Sequence, residues 1–331
     1  MTTVMLRAEY ATRGPVPQDV IACVEHAIPV PGPGEALVAV TASPINPSDV
    51  LTLTGQYGLL PPLPAVGGAE GMGRVVAVGD GVSLPVGQRV VLPLGAGTWT
   101  SHLVARADAF IPLPDGGDDV QLSMLAVNPP TARLLLTEFI TLAPGDWVVQ
   151  NTANSAVGRY LVQIAKRRGL RTVNVVRRAD AVAAVEDAGG DVVLTDGPDL
   201  AARVAEATGK AKIRLGIDAT GGSATDRVAR TLARGGTVVN YGSMSGEACK
   251  LAPANLIFRD ITLRGFWLAS WLRDASPEQQ GALYAELMPL VTDGTLSAAV
   301  QATYPVERIK EAITAAAAGG RGGKIVVVPG R

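Results

Sequence analysis

Short apolar segments alternate with segments of helical periodicity after residue 122 of this 331-residue chain, and this alternation constrains the fold more than any other feature. Strands that are joined by crossover helices form a parallel sheet with both faces covered. The pattern therefore predicts an α/β protein with a doubly wound parallel sheet. The predicted strands are Trp147–Gln150, Thr172–Val176, Val192–Leu194, Ile213–Asp218, Thr237–Tyr241 and Ile261–Gly265, and the predicted helices are Met124–Phe139, Val157–Arg168, Ala181–Ala188, Leu200–Thr208 and Ala224–Ala233.

The first 120 residues have a different pattern. Apolar runs such as Ala36–Val40 and Arg74–Val78 are separated by glycine- and proline-rich turns, which is typical of an irregular β-rich domain. The C-terminal segment returns to strands after a helix predicted over Pro277–Thr292. Because single cores stop growing at roughly 250–300 residues, we predict a β-rich domain at 1–122, a doubly wound domain at 123–268, and a segment at 269–331 that completes the first domain.

The charge balance limits the partners of the chain. It has 29 Lys and Arg against 30 Asp and Glu, a net charge of −1, and 4% aromatic residues. Such a chain lacks the net positive charge that attracts nucleic acid or an anionic membrane. It also has few aromatic rings on which nucleic-acid bases could stack. No run of about 18 apolar residues is present, and Cys23 and Cys249 fit no paired-thiol motif. We expect a cytoplasmic protein with no nucleic-acid or membrane partner; a processed chain in the mitochondrial matrix would look the same.

A strand-to-helix turn in the doubly wound region has the context of a dinucleotide-binding site. The strand that ends at Gln150 runs into residues 151–158, and a helix follows. On the pattern G-x-G-x-x-G, the glycine positions hold Ala153, Ser155 and Gly158, so two glycines are replaced by small residues. Free N–H groups at the helix N-terminus favour a pyrophosphate there. An ordinary strand-to-helix turn would fit the same residues.

The next strand indicates which nicotinamide cofactor would bind. An Asp or Glu about 20 residues beyond the turn usually bonds the ribose hydroxyls of NADH. This chain instead has Arg177 and Arg178, of which Arg177 lies 19 residues after Gly158. Two guanidinium groups suit the 2′-phosphate of NADPH. The pair favours NADPH, although two solvated arginines after a strand would give the same sequence.

Short motifs follow one another in a specific order along nearly the whole chain. They are Ser43-Pro44-Ile45-Asn46-Pro47-Ser48-Asp49, Gly55-Gln56-Tyr57, Ala65-Val66-Gly67-Gly68-Ala69-Glu70-Gly71, Gly97-Thr98-Trp99, Val127-Asn128-Pro129, Gln150-Asn151 through Gly158, Asn174-Val175-Val176-Arg177, Tyr241-Gly242 and Gly265-Phe266-Trp267-Leu268. This series resembles the medium-chain dehydrogenase/reductase superfamily, most closely its zinc-free 2-enoyl thioester reductases of the mitochondrial fatty-acid synthesis type and, more distantly, its quinone oxidoreductases. The resemblance implies a GroES-like catalytic domain beside the Rossmann domain.

The resemblance also implies roles for particular residues. The family's cofactor is NADPH, and its catalytic tyrosine matches Tyr57. Two positions depart from the family pattern: Ala69 stands where Asn is common, and Ala156 where Gly is common. The residues that match the NADPH-binding positions are Asn128, Asn154, Ser155, Ala156, Val157, Gly158, Arg177, Arg178, Tyr241, Gly242, Ser243, Met244, Phe266, Trp267, Leu268, Ala269 and Lys324.

Other residues occupy the positions at which the zinc dehydrogenases of the superfamily hold their metal. Where those enzymes have Cys and His, this chain has Asn46 and Ala69. A catalytic zinc needs about three protein ligands, and His26 and His102 are the two histidines of the chain. We therefore predict that the protein uses no metal.

Tyr57 is the candidate catalytic residue in the absence of a metal. It lies in a glycine-rich loop that can carry a side chain into a cleft. Hydride addition to the β-carbon of an α,β-unsaturated thioester moves negative charge to the thioester oxygen, and a phenol can stabilise that enolate. Without the resemblance, Tyr57 would be a half-buried ring packed at a loop. Trp99 and Trp267 are candidates for lining an acyl slot, although such aromatics are often core residues.

These observations predict an NADPH-dependent oxidoreductase of fatty acid metabolism that reduces the C2=C3 bond of 2-enoyl thioesters. An NADPH:quinone or general enone reductase is the alternative, and an inactive binding relative is a third hypothesis. The thioester carrier, CoA or acyl carrier protein, stays open. An acidic carrier protein would need a basic rim, for which the loosely grouped candidates are Arg259, Arg264, Arg321 and Lys324. The resemblance implies a homodimer.

Overall fold

The computed structural model describes residues 4–329. They form two compact units: unit 1 is the chain up to Val127 and from Ala285 onward, and unit 2 is Asn128–Tyr284. Unit 1 is built on β-sheets and unit 2 on a six-stranded parallel sheet with helices, so the predicted α/β class is confirmed. No helix within residues 4–329 is both long and apolar enough to cross a membrane.

Unit 1 contains a seven-stranded sheet and a three-stranded sheet. Its strands are β1 (Val4–Tyr10), β2 (Ala22–Ala27), β3 (Glu35–Ile45), β4 (Ala65–Val66), β5 (Met72–Val78), β6 (Arg89–Val91), β7 (His102–Arg106), β8 (Ile111–Pro112), β15 (Val300–Tyr304) and β16 (Lys324–Val327), and its helices are α1 (Pro47–Thr54), α2 (Asp119–Leu122) and α11 (Ile309–Ala317).

The long strand β3 organises unit 1. The larger sheet has the order β15-β16-β3-β5-β6-β8, and β7 also pairs with β3. Strand β16 runs antiparallel to β3, with Ile325 opposite Ile45. The end of the chain therefore completes a sheet that the N-terminal residues begin. Both isoleucines are fully buried, in a core that also holds Leu53 of α1 and Ile313 of α11.

Unit 2 is a doubly wound sheet. Its strands are β9 (Trp147–Gln150), β10 (Arg171–Val176), β11 (Val192–Thr195), β12 (Leu215–Asp218), β13 (Thr237–Asn240) and β14 (Thr262–Gly265), and its helices are α3 (Asn128–Leu135), α4 (Ala156–Arg167), α5 (Val182–Asp187), α6 (Leu200–Ala207), α7 (Gly222–Thr231), α8 (Pro253–Ile257), α9 (Leu268–Asp274) and the first part of α10 (Pro277–Thr292). The order β11-β10-β9-β12-β13-β14, parallel throughout, is the 3-2-1-4-5-6 order of dinucleotide-binding folds.

Helix α3 and the unit boundaries differ from the prediction. Helix α3 starts at Asn128 rather than Met124, because the two prolines after Asn128 lack N–H groups and fit only in a first turn. Unit 1 extends to Val127, compared with residue 122 in the prediction, and the Val127 N–H donates to the Glu70 carboxylate of the same unit at 2.9 Å. Unit 2 continues to Tyr284, compared with residue 268 in the prediction, and within it the Trp271 indole donates to Glu138 at 3.3 Å.

Candidate functional site

The predicted phosphate-binding turn joins β9 to α4 in unit 2. Ser155 is the N-cap of α4, and its hydroxyl accepts a hydrogen bond from the Gly158 N–H at 3.1 Å. A Cβ on Gly158 would lie 2.6 Å from the Ala153 carbonyl oxygen, so this position requires glycine. Ala156 is the first residue of α4 and has no left-handed φ, so its methyl group causes no backbone strain. Helix N–H groups and a close backbone approach suit a pyrophosphate.

A buried carboxylate ties the ends of three strands together beneath this turn. Asp218, at the end of β12, is fully buried. Its Oδ1 accepts from the Asn151 side-chain amide at 2.5 Å, and its Oδ2 accepts from the Thr225 hydroxyl at 2.6 Å and the Asn240 amide at 3.1 Å. Backbone N–H groups of residues 220 and 221 complete the set. The sequence prediction missed Asp218; its one signal was an acidic residue that ends an apolar strand.

The loop after β13 lies against the same turn. The Tyr241 hydroxyl is hydrogen-bonded to the Ser155 side chain, and burial raises the pKa of this tyrosine. The Met244 N–H donates to the Ala219 carbonyl at 3.0 Å, and a Cβ on Gly242 would lie 3.0 Å from the same oxygen. Ser243 and Met244 are exposed, with 53% of Met244 accessible. The predicted residues Tyr241–Met244 therefore form one fixed loop beside the helix N-terminus.

The two predicted 2′-phosphate ligands differ in their surroundings. Both arginines are exposed and directly follow β10. The Arg178 Nε donates to Asp180 at 2.9 Å. Arg177 makes no ion pair or hydrogen bond through its side chain to any residue between 4 and 329. Arg177 is thus the guanidinium that is ready to bind an added anion.

The remaining predicted cofactor residues of unit 2 lie at the start of α3 and after β14. Asn128 is the buried first residue of α3. The Phe266 N–H donates to the Asn240 carbonyl at 2.8 Å, and its ring packs edge-on against Phe139 at 5.9 Å. Trp267 is the N-cap of α9 and is 37% exposed, whereas Leu268 is buried and Ala269 half-buried.

Most of these groups share one edge of the sheet, because β9, β10, β13 and β14 are parallel and each carries its predicted residues after its carboxyl end. In open α/β sheets this edge binds the ligand. A tight glycine turn, a helix N-terminus and an unpaired arginine at this edge fit a nicotinamide dinucleotide with a 2′-phosphate. The residues present therefore fit NADPH.

Tyr57 lies directly after α1 in unit 1. Pro47 occupies the first turn of α1, and Gly55 ends it with the left-handed φ of 78°. The backbone N–H groups of Gln56 and Tyr57 both donate to the Leu51 carbonyl, at 2.8 and 3.2 Å. The left-handed glycine and these two bonds fix the backbone at Tyr57, whose ring is half-buried.

A buried polar cluster surrounds the other end of α1. It consists of Asn46, Asp49, Glu70 and Lys324, none more than 6% exposed. The Lys324 Nζ donates to Asn46 Oδ1 at 2.5 Å and to the Ile45 carbonyl at 3.2 Å, and Asn46 Nδ2 donates to Glu70 Oε1 at 2.7 Å. Asp49 accepts from the Asn46 N–H at 2.7 Å and from the Ala69 N–H.

Burial sets the direction of the pKa shifts in this cluster. It raises the pKa of Asp49 to about 6, raises the pKa of Glu70, and lowers the pKa of Lys324. Attraction between the ammonium and the two carboxylates opposes all three shifts. The sequence prediction noted these residues only as letters of motifs, and assigned Lys324 to NADPH. That assignment stays a prediction, but a buried ammonium cannot be part of a basic rim for an acidic partner.

Trp99 is a core residue, which contradicts its predicted role in an acyl slot. It is 0% exposed, and its ring lies under Gly67, where a Cβ would be 2.3 Å from Trp99 Cε3. Its neighbours Ile21 and Tyr10 are buried as well. An acyl chain could touch this ring only by displacing packed side chains.

The other predicted basic-rim residues either make contacts within unit 2 or belong to unit 1. Arg259 donates to the Leu232 carbonyl and to Asn255, and the Arg264 guanidinium lies 5.1 Å from the Phe139 ring centre, both in unit 2. Arg321 belongs to unit 1. Residues 4–329 hold no group of three or more His, Cys, Asp or Glu side chains that could bind a metal.

Family models match both units. The alcohol dehydrogenase GroES-like domain matches residues 32–115, and the zinc-binding dehydrogenase domain matches residues 156–286. The mitochondrial enoyl-[acyl-carrier-protein] reductase of Rattus norvegicus is 40% identical over 288 residues, which cover 84% of this chain and 76% of the rat protein. The Homo sapiens protein of the same name is 39% identical over the same coverage.

The similar solved structures include enoyl thioester reductases and a quinone oxidoreductase. The complex of Etr1p with NADP and crotonyl-CoA has a TM-score of 0.89 at 26% identity, over 98% of this chain and 99% of that one. The Etr1p/Etr2p heterodimer from Candida tropicalis, a mitochondrial 2-enoyl thioester reductase, gives the same values. A mycobacterial quinone oxidoreductase has a TM-score of 0.83 at 29% identity, over 98% of this chain and 100% of that one.

Proposed function

The chain belongs to the medium-chain dehydrogenase/reductase family, within its enoyl thioester reductases, and from this membership we propose that it reduces the C2=C3 double bond of 2-enoyl thioesters. It is an NADPH-dependent oxidoreductase that acts on CH–CH groups. The observation that carries the proposal is the place of Tyr57, which matches the family's catalytic tyrosine and stands on a fixed helix end.

Unit 2 supplies the residues for NADPH. The N-terminus of α4 with Ser155 and Gly158 would receive the pyrophosphate, and Arg177 the 2′-phosphate. The loops that begin at Tyr241 and Phe266 would hold the nicotinamide half. When bound, NADPH supplies the hydride that adds to the β-carbon of the substrate.

Tyr57 supplies the hydrogen bond that the developing charge needs. As the β-carbon gains hydride, negative charge moves to the thioester oxygen, and the Tyr57 hydroxyl would donate a hydrogen bond to that oxygen. The backbone bonds from Gln56 and Tyr57 to Leu51 hold the main chain at Tyr57 in place before the reaction, which limits the reorganisation that accompanies the charge shift. A proton delivered to the α-carbon completes the reduction.

A substrate panel tests this function. NADPH oxidation is followed with crotonyl-CoA, with longer enoyl-CoAs, with the corresponding enones that lack the thioester, and with a quinone. We expect kcat/KM for the thioesters to exceed that for the other acceptors by at least about 100-fold, because binding energy from remote parts of a substrate lowers the barrier at the reacting carbon. Matching acyl carrier protein thioesters form a second arm and identify the carrier.

The alternative function is the reduction of quinones or free enones, which the match to the quinone oxidoreductase favours. Both functions share the NADPH site, and they differ in the acceptor that is reduced. Higher kcat/KM with the quinone than with every thioester would establish the alternative. No NADPH oxidation with any acceptor would indicate an inactive binding relative.

We also propose a homodimer that forms through β14. This strand ends the six-stranded sheet, so one of its edges has no strand partner within residues 4–329. The adjacent helix α8 exposes Ile257 at 69%, and Phe258, which follows it, is 73% exposed. Light scattering after size-exclusion chromatography tests this proposal, with Phe258→Glu expected to shift the dimer toward monomer.

The relatives are named mitochondrial, and the matrix, or the cytoplasm for an unprocessed chain, is the proposed location.

A further inference from the structure

The buried cluster at the start of α1 contains a directional chain of hydrogen bonds. The Lys324 ammonium donates to Asn46 Oδ1, and Asn46 Nδ2 donates to Glu70 Oε1. The other oxygen of Glu70 accepts from the Val127 N–H at 2.9 Å. An ammonium has donors only and an ionised carboxylate has acceptors only, so the amide between them can take one orientation.

This chain of bonds needs acceptor oxygens at position 70 and an amide at position 46. Both Glu70 oxygens face N–H donors, so the hydrogen bonds favour the carboxylate over the acid. A carboxylate at position 46 would turn an acceptor toward Glu70 and leave two like charges in contact. Asn46 is therefore matched to both neighbours at once.

The same residues fix the start of α1. Asn46 is the N-cap of α1, and its own N–H donates to Asp49 in the first turn. Through Asn46, the helix start is bound to Lys324 on β16 and to Glu70, which precedes β5. The helix is eight residues long and is followed by its C-cap Gly55, two residues before Tyr57. A short helix that is fixed at its first turn transmits that position to its last.

We propose that Lys324, Asn46 and Glu70 form a positioning relay that holds α1, and through it the Tyr57 hydroxyl, in the geometry that enolate stabilisation requires. This inference rests on the proposed function of Tyr57. The three residues are positioning residues, since they act through α1. The predicted contact of Lys324 with NADPH is a separate matter, because two of its three N–H donors are used by Ile45 and Asn46.

An exchange of the amide and the acid tests the relay. Asn46→Asp alone places two carboxylates together, and Glu70→Gln alone turns an N–H toward a donor on one side. The double variant Asn46→Asp/Glu70→Gln restores the bonds of the relay with the same net charge, because the new amide at position 70 can donate to the new carboxylate at position 46 while its oxygen accepts from Val127. We expect each single variant to lower kcat by about 10- to 100-fold, as misplacement by about 1 Å does, and the exchange to recover kcat to within about threefold.

Two controls separate positioning from simple stability. Gln121→Leu removes a pair of hydrogen bonds to Ala298, at 3.0 and 2.9 Å, elsewhere in unit 1. It should lower the melting temperature and leave kcat unchanged. In a Tyr57→Phe background, Glu70→Gln should change kcat by less than about twofold, because the relay acts through the missing hydroxyl.

The possible results are distinct. If the single variants keep native kcat, or the exchange recovers the melting temperature but not kcat, the relay does not position Tyr57. If single variants do not fold, the exchange variant alone decides by its kcat. A Tyr57→Phe enzyme with native kcat would contradict the proposed function itself, and it would do so independently of the relay variants.

Discussion

The two units each contain a buried polar network beside a segment that carries predicted site residues, and the networks are built differently. In unit 2, the Asp218 carboxylate accepts from two side-chain amides, one hydroxyl and two backbone N–H groups, and no Lys or Arg within residues 4–329 is hydrogen-bonded to it. In unit 1, the relay joins an ammonium to a carboxylate through one amide. The first network fixes several loop backbones at once; the second fixes one helix.

This difference indicates that the two networks support different steps, cofactor binding in unit 2 and turnover in unit 1. Many short bonds to neighbouring strand ends hold a rigid surface for a cofactor, and the loss of one bond leaves the others in place. A linear relay has no such redundancy, because each member orients the next. Substitutions at the unit 2 site should therefore change cofactor affinity, whereas substitutions along α1 and the relay should change turnover.

The largest expected effect is that of Tyr57→Phe, which removes only the hydroxyl. Loss of one donor to a developing oxyanion typically lowers turnover by about 10²–10³-fold. We expect this fall in kcat for crotonyl-CoA, with NADPH affinity and melting temperature nearly unchanged. Single-turnover kinetics ensure that the chemical step is measured. Native turnover in this variant would show that another group stabilises the enolate, and it would remove the contrast between the units.

The next effect is on cofactor choice. Arg177→Ala should weaken NADPH binding more than Arg178→Ala does, because Arg178 already pairs with Asp180 and Arg177 has no such partner among residues 4–329. The double variant should lose about tenfold or more, since one charge-assisted bond contributes roughly 1.5–3 kcal/mol. NADH, which lacks the 2′-phosphate, serves as the matched control and should bind equally to all four proteins. Titration of protein fluorescence or calorimetry measures both constants; parallel losses for NADH would contradict the assignment.

Sequence patterns predicted unit 2 better than unit 1. Strand β9 matches its predicted bounds, and β10 begins one residue before them, because their apolar runs are continuous and are bounded by turns. The helix N-terminus and Arg177 follow from adjacent residues, so local sequence suffices to bring them to one sheet edge. The site in unit 2 is thus determined mostly by residues that are close in sequence.

The relay could not be predicted in the same way. Lys324 meets Asn46 because β16 pairs with β3, and these two residues are 278 positions apart in sequence. The burial of Trp99 likewise depends on Gly67, which lies in another segment of unit 1. Contacts that depend on long-range strand pairing leave no local periodicity, which is why the polar core of unit 1 had only its motif letters as a signal.

A smaller effect is expected from the titration of Asp49 beside the relay. Burial raises its pKa from 3.8 to about 6, so between these values the folded protein holds a proton that the unfolded chain has lost. Stability therefore falls as pH rises through this window and is constant above it. Asp49→Asn lacks this titration, while Glu70 and Lys324 titrate in both proteins. Urea unfolding measures the free energy of unfolding of both proteins, and the value for the unmodified protein minus that for Asp49→Asn should decrease from about pH 4 to pH 6. An increase would mean that hydrogen bonds outweigh burial in setting the pKa of Asp49.

The smallest expected effect is that of metal removal, for which we expect no change in activity. The cation in the polar core of unit 1 is the Lys324 ammonium, and it is bonded to Asn46, the residue that stands where zinc dehydrogenases have a cysteine. A zinc ion there would repel the ammonium and would find an amide in place of a thiolate. Dialysis against a chelator should leave kcat and melting temperature unchanged, and metal analysis should find less than stoichiometric zinc. If the chelator abolished turnover and zinc alone restored it, a metal rather than Tyr57 would stabilise the enolate, and the relay would lose its role.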